Sequence, residues 1–116
     1  MEDNIFDSTP AKPLTDRAFE EISQRFRLLS DPMRLKILHH LGKRELSVSE
    51  IVVRTAGSQS NVSKHLSLLL SHGLVHRRRE GTSAYYSVSD PSIFELCDKV
   101  CGGIGRDLDD RRRAFE

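Results

Sequence analysis

Residues 47–88 read SVSEIVVRTAGSQSNVSKHLSLLLSHGLVHRRREGTSAYYSV, and their pattern specifies the architecture of the chain. Ser47 and Glu50 form a capping-box pattern that predicts the start of a short helix, which Gly57 is expected to end. Ser58 then caps a second helix, in which apolar residues recur every three or four positions. Two short amphipathic helices joined by a tight turn are typical of a helix-turn-helix.

After the second helix the apolar period changes from helical spacing to strict alternation. Residues 74–79 and 83–88 are predicted to be strands joined through residues 80–82, which include a glycine. This hairpin follows the second helix directly and carries three consecutive arginines. Such a hairpin is typical of a wing, so the predicted fold is a winged helix-turn-helix.

Further helices flank this region on both sides. A first helix begins at Thr15 or Asp16, a second at Asp31–Pro32 and a last at Asp90–Pro91. The predicted class is therefore mainly α with a β-hairpin, in the order α-α-α-α-β-β-α.

The 116 residues suffice for one domain with a modest core. We predict a flexible arm at residues 1–14, a folded domain at residues 15–105 and a charged tail at residues 106–116. Pairs of opposite charge at i, i+4, Asp107–Arg111 and Asp109–Arg113, indicate that the tail resumes as a short solvated helix.

Composition and charge restrict the class of protein and of partner. The acidic start of the chain does not resemble a signal peptide and no apolar run could cross a bilayer, so we expect a cytoplasmic protein without membrane contact. The net charge is only +1, yet residues 58–89 hold four basic residues and one acidic residue. A basic patch on a nearly neutral chain indicates an anionic partner on one face.

Several ordered blocks of this sequence resemble the ArsR/SmtB family of bacterial repressors across residues 17–105. The blocks that carry the resemblance are Leu28–Leu38, Glu45–Ile51, Ser58–Leu66, Gly73–Val75, Arg79–Gly81 and Tyr85–Tyr86. The resemblance implies a homodimer built from the first and last helices, a recognition helix in the major groove, and wings along the phosphates. It also implies repression that a bound ligand relieves, with operators of two inverted half-sites.

Seven residues of the second helix of the helix-turn-helix are candidates for DNA contact, because its apolar positions face inward. The candidates are Ser58, Gln59, Ser60, Asn61, Ser63, Lys64 and His65. Gln and Asn side chains can bond adenine through two hydrogen bonds, and a helix N-terminus favours phosphate. For His65, phosphate contact and packing against the domain are both open.

In the wing, alternation places Arg77 and Arg79 on one side of the strand and Arg78 on the other. We assign Arg77 and Arg79 to phosphate contacts, which supply salt-dependent affinity rather than sequence preference. Tyr85 and Tyr86 also diverge, so we expect one to pack on the core and assign Tyr85 to the DNA side.

The resemblance extends to two metal sites of the family, and this sequence lacks both. Where the family's arsenic site has two cysteines, this chain has Ser47 and Ser49. The zinc site on the last helix of other members requires histidines, but the last histidine here is His76.

Cys97 and Cys101 remain as candidates for sensing an inducer, one helical turn apart. The pair could chelate As(III) or a soft divalent cation such as Cd²⁺ or Pb²⁺, with a third sulfur from the partner subunit, or respond to an oxidant or persulfide. Alternatively both thiols only pack in the dimer seam. Gly102, Gly103 and Gly105 follow and predict either a helix end or a close helix contact.

Two other classes of function fit the sequence less well. A redox enzyme is not expected, since the chain lacks a C-x-x-C motif and a βαβ pattern. The signatures of common RNA-binding modules are also missing. The sequence therefore predicts a DNA-binding repressor that a thiol-reactive inducer releases, with a winged helix that senses nothing as the alternative.

Overall fold

A computed structural model of the protein describes residues 14–114, in which five helices and three strands follow one another. The elements are α1 (Asp16–Leu29), α2 (Pro32–Leu41), β1 (Leu46–Ser47), α3 (Val48–Thr55), α4 (Gln59–Ser71), β2 (Val75–Glu80), β3 (Ser83–Val88) and α5 (Ser92–Ala114). The predicted winged helix-turn-helix order is confirmed, with the short strand β1 as an addition. Residues 1–13 of the predicted arm lie outside the described part of the chain.

Side-chain caps begin the helices where the sequence predicts them. Thr15 accepts a hydrogen bond from the backbone N–H of Ala18 at the start of α1. Asp31 begins α2, and the backbone N–H of Arg34 that donates to its carboxylate lowers its pKa. The Ser47–Glu50 capping box is complete at the start of α3. These caps satisfy backbone donors that a helix N-terminus leaves unpaired.

The turn between α3 and α4 differs from the prediction that Gly57 ends α3. Helix α3 ends at Thr55, and the residue in the left-handed region is Ala56, with φ 55° and ψ 26°. Gly57 is instead needed for close packing, since a Cβ there would lie 3.0 Å from Val62 Cγ2 and 3.2 Å from Met33 Cε. The glycine therefore lets the turn pack closely against Met33 of α2 and Val62 of α4.

The sheet ties the wing to the body of the domain. Its antiparallel strands lie in the order β1-β3-β2, with Leu46 opposite Tyr86 and Arg78 opposite Tyr85. Leu46 and Tyr86 are buried, so β3 joins the hairpin to the core through a strand of only two residues. Two residues are too few to show an alternating pattern, which is why the sequence does not predict β1.

The core lies between α2, α3, α4 and the sheet. Val62, Leu66 and Leu69, which the helical spacing predicts to face inward from α4, have no exposed surface. The other side chains buried to nearly the same degree are Ile37, Leu41, Ile51, Leu74 and Val75. Because these residues come from α2, α3, α4 and the wing, packing fixes the orientation of α4 relative to those elements.

Helices α1 and α5 bury little apolar surface within the protomer. Seven of their apolar side chains are between 36% and 56% exposed: Phe19, Ile22, Phe26, Leu96, Val100, Ile104 and Leu108. Of the residues of α5, only Ile93 is buried. The described residues contain no helix that is both long and apolar enough to cross a membrane.

Helix α5 is one continuous helix of 23 residues, so of the two alternatives for Gly102, Gly103 and Gly105 the helix end is wrong, while the close helix contact stays a prediction. The tail does not resume as a separate helix either, since α5 crosses the boundary placed between residues 105 and 106.

Instead of the expected i, i+4 pairs, Arg112 bonds Asp109 at 2.9 Å and Arg113 lies 3.9 Å from Asp110. Pairs at i, i+3 share a helix face just as i, i+4 pairs do.

The turn between α3 and α4 leads to a prediction about stability. The left-handed conformation costs an L-residue such as Ala56 roughly 1–2 kcal/mol, and a glycine would remove this strain. Glycine also gains conformational freedom in the unfolded state, which lowers the net gain in stability by roughly 0.4–1 kcal/mol. We therefore expect Ala56→Gly to raise the free energy of unfolding by on the order of 0.5 kcal/mol. Urea unfolding followed by circular dichroism, at one fixed protein concentration, measures it.

Gly57→Ala is the matched control at the neighbouring position. Its Cβ would lie 3.0 Å from Val62 Cγ2 and 3.2 Å from Met33 Cε, so these side chains must shift to admit it. We expect no gain in stability from Gly57→Ala. Destabilisation by Ala56→Gly, or a gain in stability from Gly57→Ala, would contradict this account of the turn.

Candidate nucleic-acid interface

The N-terminal half of α4 presents a polar surface to solvent. Gln59, Ser60, Asn61 and Lys64 are exposed, and Ser63 is half-buried. The first turn of the helix holds no acidic side chain, so its free backbone N–H groups and positive dipole end meet no carboxylate of that turn. Such a helix end can receive a phosphate while the neighbouring side chains reach base edges.

Ser58 serves first as the N-cap of α4. Its Oγ accepts a hydrogen bond from the backbone N–H of Asn61 at 3.2 Å and lies 3.5 Å from Ser60 Oγ. A hydroxyl has a second acceptor site and a donor hydrogen, so the capping bond leaves Ser58 able to bond a phosphate. Both roles that the sequence allows for Ser58 are compatible with this geometry.

His65 is the candidate whose placement differs most from its neighbours on α4. Its side chain is only 14% exposed and is directed toward α2. Nδ1 lies 3.3 Å from Arg34 Nη1, and Nε2 lies 3.9 Å from Asp31 Oδ1. Of the two alternatives for this residue, the geometry favours packing against the domain over phosphate contact.

The three arginines of the wing have different surroundings. Arg78 donates hydrogen bonds of 3.0–3.2 Å to the Glu45 carboxylate and one of 2.8 Å to Glu80. The Glu45 carboxylate holds the pKa of Arg78 above its ordinary value. Arg77 and Arg79 are exposed, and neither forms a salt bridge within residues 14–114. Their charges are therefore available to an external anion.

The two tyrosines diverge as alternation requires. Tyr86 is buried in the core, whereas Tyr85 is half-buried and lies under the Arg78 guanidinium, whose central carbon is 4.9 Å from the ring centroid. One ring face of Tyr85 is thus covered, and the assignment of Tyr85 to DNA stays a prediction.

Glu45 and Arg78 form a pair that sequence reasoning did not find. Alternation correctly separates Arg78 from Arg77 and Arg79, but Glu45 lies 33 positions earlier in the chain. It meets Arg78 because β1 pairs with β3, and no local pattern reports that pairing. The pair is half-exposed, so its contribution to stability is small, and its main effect is on the orientation of Arg78.

Cys97 and Cys101 lie on the same side of α5 but in different surroundings. Cys97 is half-buried and lines a groove of about 210 Å³ between α2 and α5, together with Leu35, Leu38, His39, Ile93, Phe94 and Asp98. Cys101 is exposed one turn further along, and both thiols are free. In the described part of the chain, no three His, Cys, Asp or Glu side chains come together as a metal site. A third side-chain ligand for a metal held by this pair would have to come from beyond the described residues, such as from a second subunit.

Ser47, at one of the two cysteine positions of the family's arsenic site, has a structural use in this chain. It is the N-cap of α3, and its Oγ accepts a hydrogen bond from the backbone N–H of Glu50. The Glu50 carboxylate in turn accepts the N–H of Ser47, which lowers the pKa of Glu50. These groups are committed to starting the helix.

Comparison with protein families identifies a helix-turn-helix domain at residues 29–78. The chain is 44% identical over 71 residues to the "Probable mercury resistance operon repressor" of Streptomyces lividans, covering 61% of this chain and 57% of that protein. It is 35% identical over 81 residues to the "Transcriptional repressor SmtB homolog" of Synechocystis, covering 70% of this chain and 61% of that protein. The chain thus spans less than two thirds of the length of these two relatives.

A third relative matches over more of its own length. The uncharacterized HTH-type transcriptional regulator Rv0081 of Mycobacterium tuberculosis is 36% identical over 92 residues, covering 78% of this chain and 81% of that protein. Its crystal structure superposes with a TM-score of 0.72 at 32% identity, covering 84% of this chain and 98% of the other.

A solution structure adds information on assembly. The homodimeric winged helix-turn-helix DNA-binding domain of Mb0332 from Mycobacterium bovis, described as a possible ArsR-family transcriptional regulator, superposes with a TM-score of 0.70. Identity is 29%, and the match covers 84% of this chain and 93% of that domain.

Proposed function

Because the chain belongs to the ArsR/SmtB family of winged helix-turn-helix regulators, we propose that it binds double-stranded DNA as a homodimer and represses transcription from a palindromic operator. One observation carries the proposal. One domain presents both the exposed polar end of α4 and two exposed wing cations, Arg77 and Arg79. Within the described residues, no carboxylate forms a salt bridge with either arginine.

Base reading is assigned to the start of α4. Gln59 and Asn61 carry amides that can bond adenine in the major groove, while Ser58, Ser60, Ser63 and Lys64 serve base edges or phosphates. The wing cations Arg77 and Arg79 contact phosphates and so add affinity without sequence preference.

The exposed faces of α1 and α5 support the homodimer. Phe19, Phe26, Val100 and Ile104 are each at least 55% exposed in the protomer, although they are large apolar side chains. A single domain of this size gains stability by burying such faces against a second copy. The homodimeric relative from M. bovis supports the same assembly.

Regulation is assigned to Cys97 and Cys101. One of the relatives described above is named for resistance to mercury, and thiolates are the ligands that such soft cations prefer. We therefore propose that As(III), Cd²⁺, Pb²⁺ or an oxidant or persulfide acts at these thiols and releases the operator. The exposed apolar residues of α5 lie on the same helix, so a change at the cysteines acts at the dimer interface.

The first test is DNA binding by wing and recognition-helix variants. We expect Arg77→Ala with Arg79→Ala to weaken binding to all duplexes and to reduce the salt slope, by up to about 0.9 for each phosphate that is no longer neutralised. Gln59→Ala should relax base preference at one position while leaving the salt slope unchanged. Fluorescence anisotropy across a salt series measures the affinity, the salt slope and the base preference. The duplex is one that the wild-type protein selects from a random library.

Arg78→Ala is the matched control, since the charge of Arg78 is already paired with Glu45 and Glu80. It should leave the salt slope close to that of the wild type. A slope that falls as much for Arg78→Ala as for the double variant would contradict the assignment of wing contacts.

The second test concerns assembly. Ile104→Asp places a charge in the exposed face of α5, and we expect it to shift the protein toward monomers, because an unpaired charge in an apolar interface is costly. Val53→Asp is the control, because Val53 is an 81% exposed apolar residue of α3, away from α1 and α5. Sedimentation equilibrium distinguishes them: equal dissociation constants for the two variants would rule out this interface.

The third test concerns sensing. Reduced wild-type protein should lose affinity for its selected duplex when titrated with As(III), Cd²⁺, Pb²⁺, a persulfide donor or peroxide. Cys97→Ser with Cys101→Ser should bind the duplex as the wild type does and ignore the active compound. A wild type insensitive to all five, or a double variant that responds normally, would favour the alternative of a regulator whose cysteines only pack.

A further inference from the structure

The His65 side chain bridges the recognition helix and the start of α2. It is nearly buried, with Arg34 on one side of the imidazole and Asp31 on the other. A buried polar group is costly unless it is paired, so these contacts decide where the side chain can lie. None of the assigned DNA contacts accounts for this arrangement.

The chemistry of the partners fixes the hydrogen on the ring. A guanidinium has only donors, so His65 Nδ1, at 3.3 Å from Arg34 Nη1, must be the acceptor. The neutral ring then carries its hydrogen on Nε2, which faces Asp31 Oδ1 at 3.9 Å. One tautomer thus suits both neighbours.

Arg34 extends the contact to α1. Its Nε donates to the backbone oxygen of Leu28 at 2.7 Å, and its Nη2 donates to that of Arg27 at 3.2 Å. These carbonyls belong to the last turn of α1, and that of Arg27 also accepts the backbone N–H and the hydroxyl of Ser30. Asp31 meanwhile accepts the backbone N–H groups of Met33 and Arg34 at the start of α2.

We propose that Asp31, Arg34 and His65 form a positioning cluster that fixes the recognition helix relative to α1. The inference rests on the proposed function, because α1 joins the subunits and α4 reads the operator. Two half-sites lie a fixed distance apart, so the two copies of α4 must be held at a matching separation. The cluster sets that separation without touching DNA, which makes His65 and Arg34 positioning residues.

The test uses His65→Leu and Arg34→Gln, with His65→Asn as the conservative variant. Asn places its side-chain oxygen where Nδ1 lies and can accept the Arg34 hydrogen bond, whereas Leu cannot. We expect His65→Leu and Arg34→Gln each to lower affinity for the selected duplex about tenfold. His65→Asn should retain most of the wild-type affinity. Affinity for a scrambled duplex, the salt slope and the dimer dissociation constant should be unchanged.

Coupling between the residues is checked by the double variant. If both act through one contact, His65→Leu with Arg34→Gln should bind no more weakly than either single variant. Independent effects, in which the two reductions in affinity multiply, would overturn the cluster.

A second readout needs no DNA. The two native cysteines are replaced by Cys97→Ser and Cys101→Ser, and a spin label is attached at Ser67→Cys, an exposed position of α4. The label reports the distance between the two recognition helices of the dimer. We expect one narrow distance distribution with native His65 or with His65→Asn, and a broad or shifted one with His65→Leu or Arg34→Gln. Identical distributions for all would overturn the inference, even if the wild type selects no duplex and the proposed function fails.

Two other outcomes also contradict the proposal. If His65 contacts phosphate, both of its variants weaken binding to selected and scrambled duplexes and reduce the salt slope, while Arg34→Gln has no effect. If the cluster only stabilises the fold, the variants lower the melting temperature measured by circular dichroism, yet the folded protein binds and shows distances as the wild type does.

Discussion

The complete burial of one face of α4 is the constraint on which the candidate interface depends. Val62, Leu66 and Leu69 have no exposed surface, so the helix cannot rotate about its axis without opening the core. That rotation decides which polar residues meet solvent and which, like His65, turn inward. The position of α4 depends in turn on Gly57, since a side chain there would press on Val62 and Met33. The residues proposed to read DNA are thus already oriented by the core.

Local chemistry makes much of this arrangement predictable. Caps at Thr15, Asp31, Ser47 and Ser58 and the change of period after Gly73 are sufficient for the element order, because each signal acts within a few residues. Contacts between distant segments are not predictable in this way. Strand β1 and the Glu45–Arg78 pair depend on a pairing between segments far apart in sequence.

Two local predictions are wrong for reasons that are also physical. The glycines of α5 lower helix propensity by about 1 kcal/mol each, but this cost does not end the helix, which continues to Ala114. At the turn before α4, sequence alone favours a glycine as the residue that ends α3. Ala56 takes the left-handed conformation instead, and Gly57 lies where a Cβ would be only 3.0 Å from Val62 Cγ2.

The glycines of α5 have a mechanical consequence for the assembly. An added Cβ would meet only the Arg106 guanidinium at Gly102 and Gly103, and nothing within 4 Å at Gly105. Each glycine weakens the helix by about 1 kcal/mol relative to alanine. Residues 102–105, directly after Cys101, are therefore the segment of α5 with the lowest helix propensity, and Leu108 of the exposed apolar face lies beyond it. Under the proposed regulation at the cysteines, we expect a displacement of the thiols to bend α5 at this segment instead of straining the packed core.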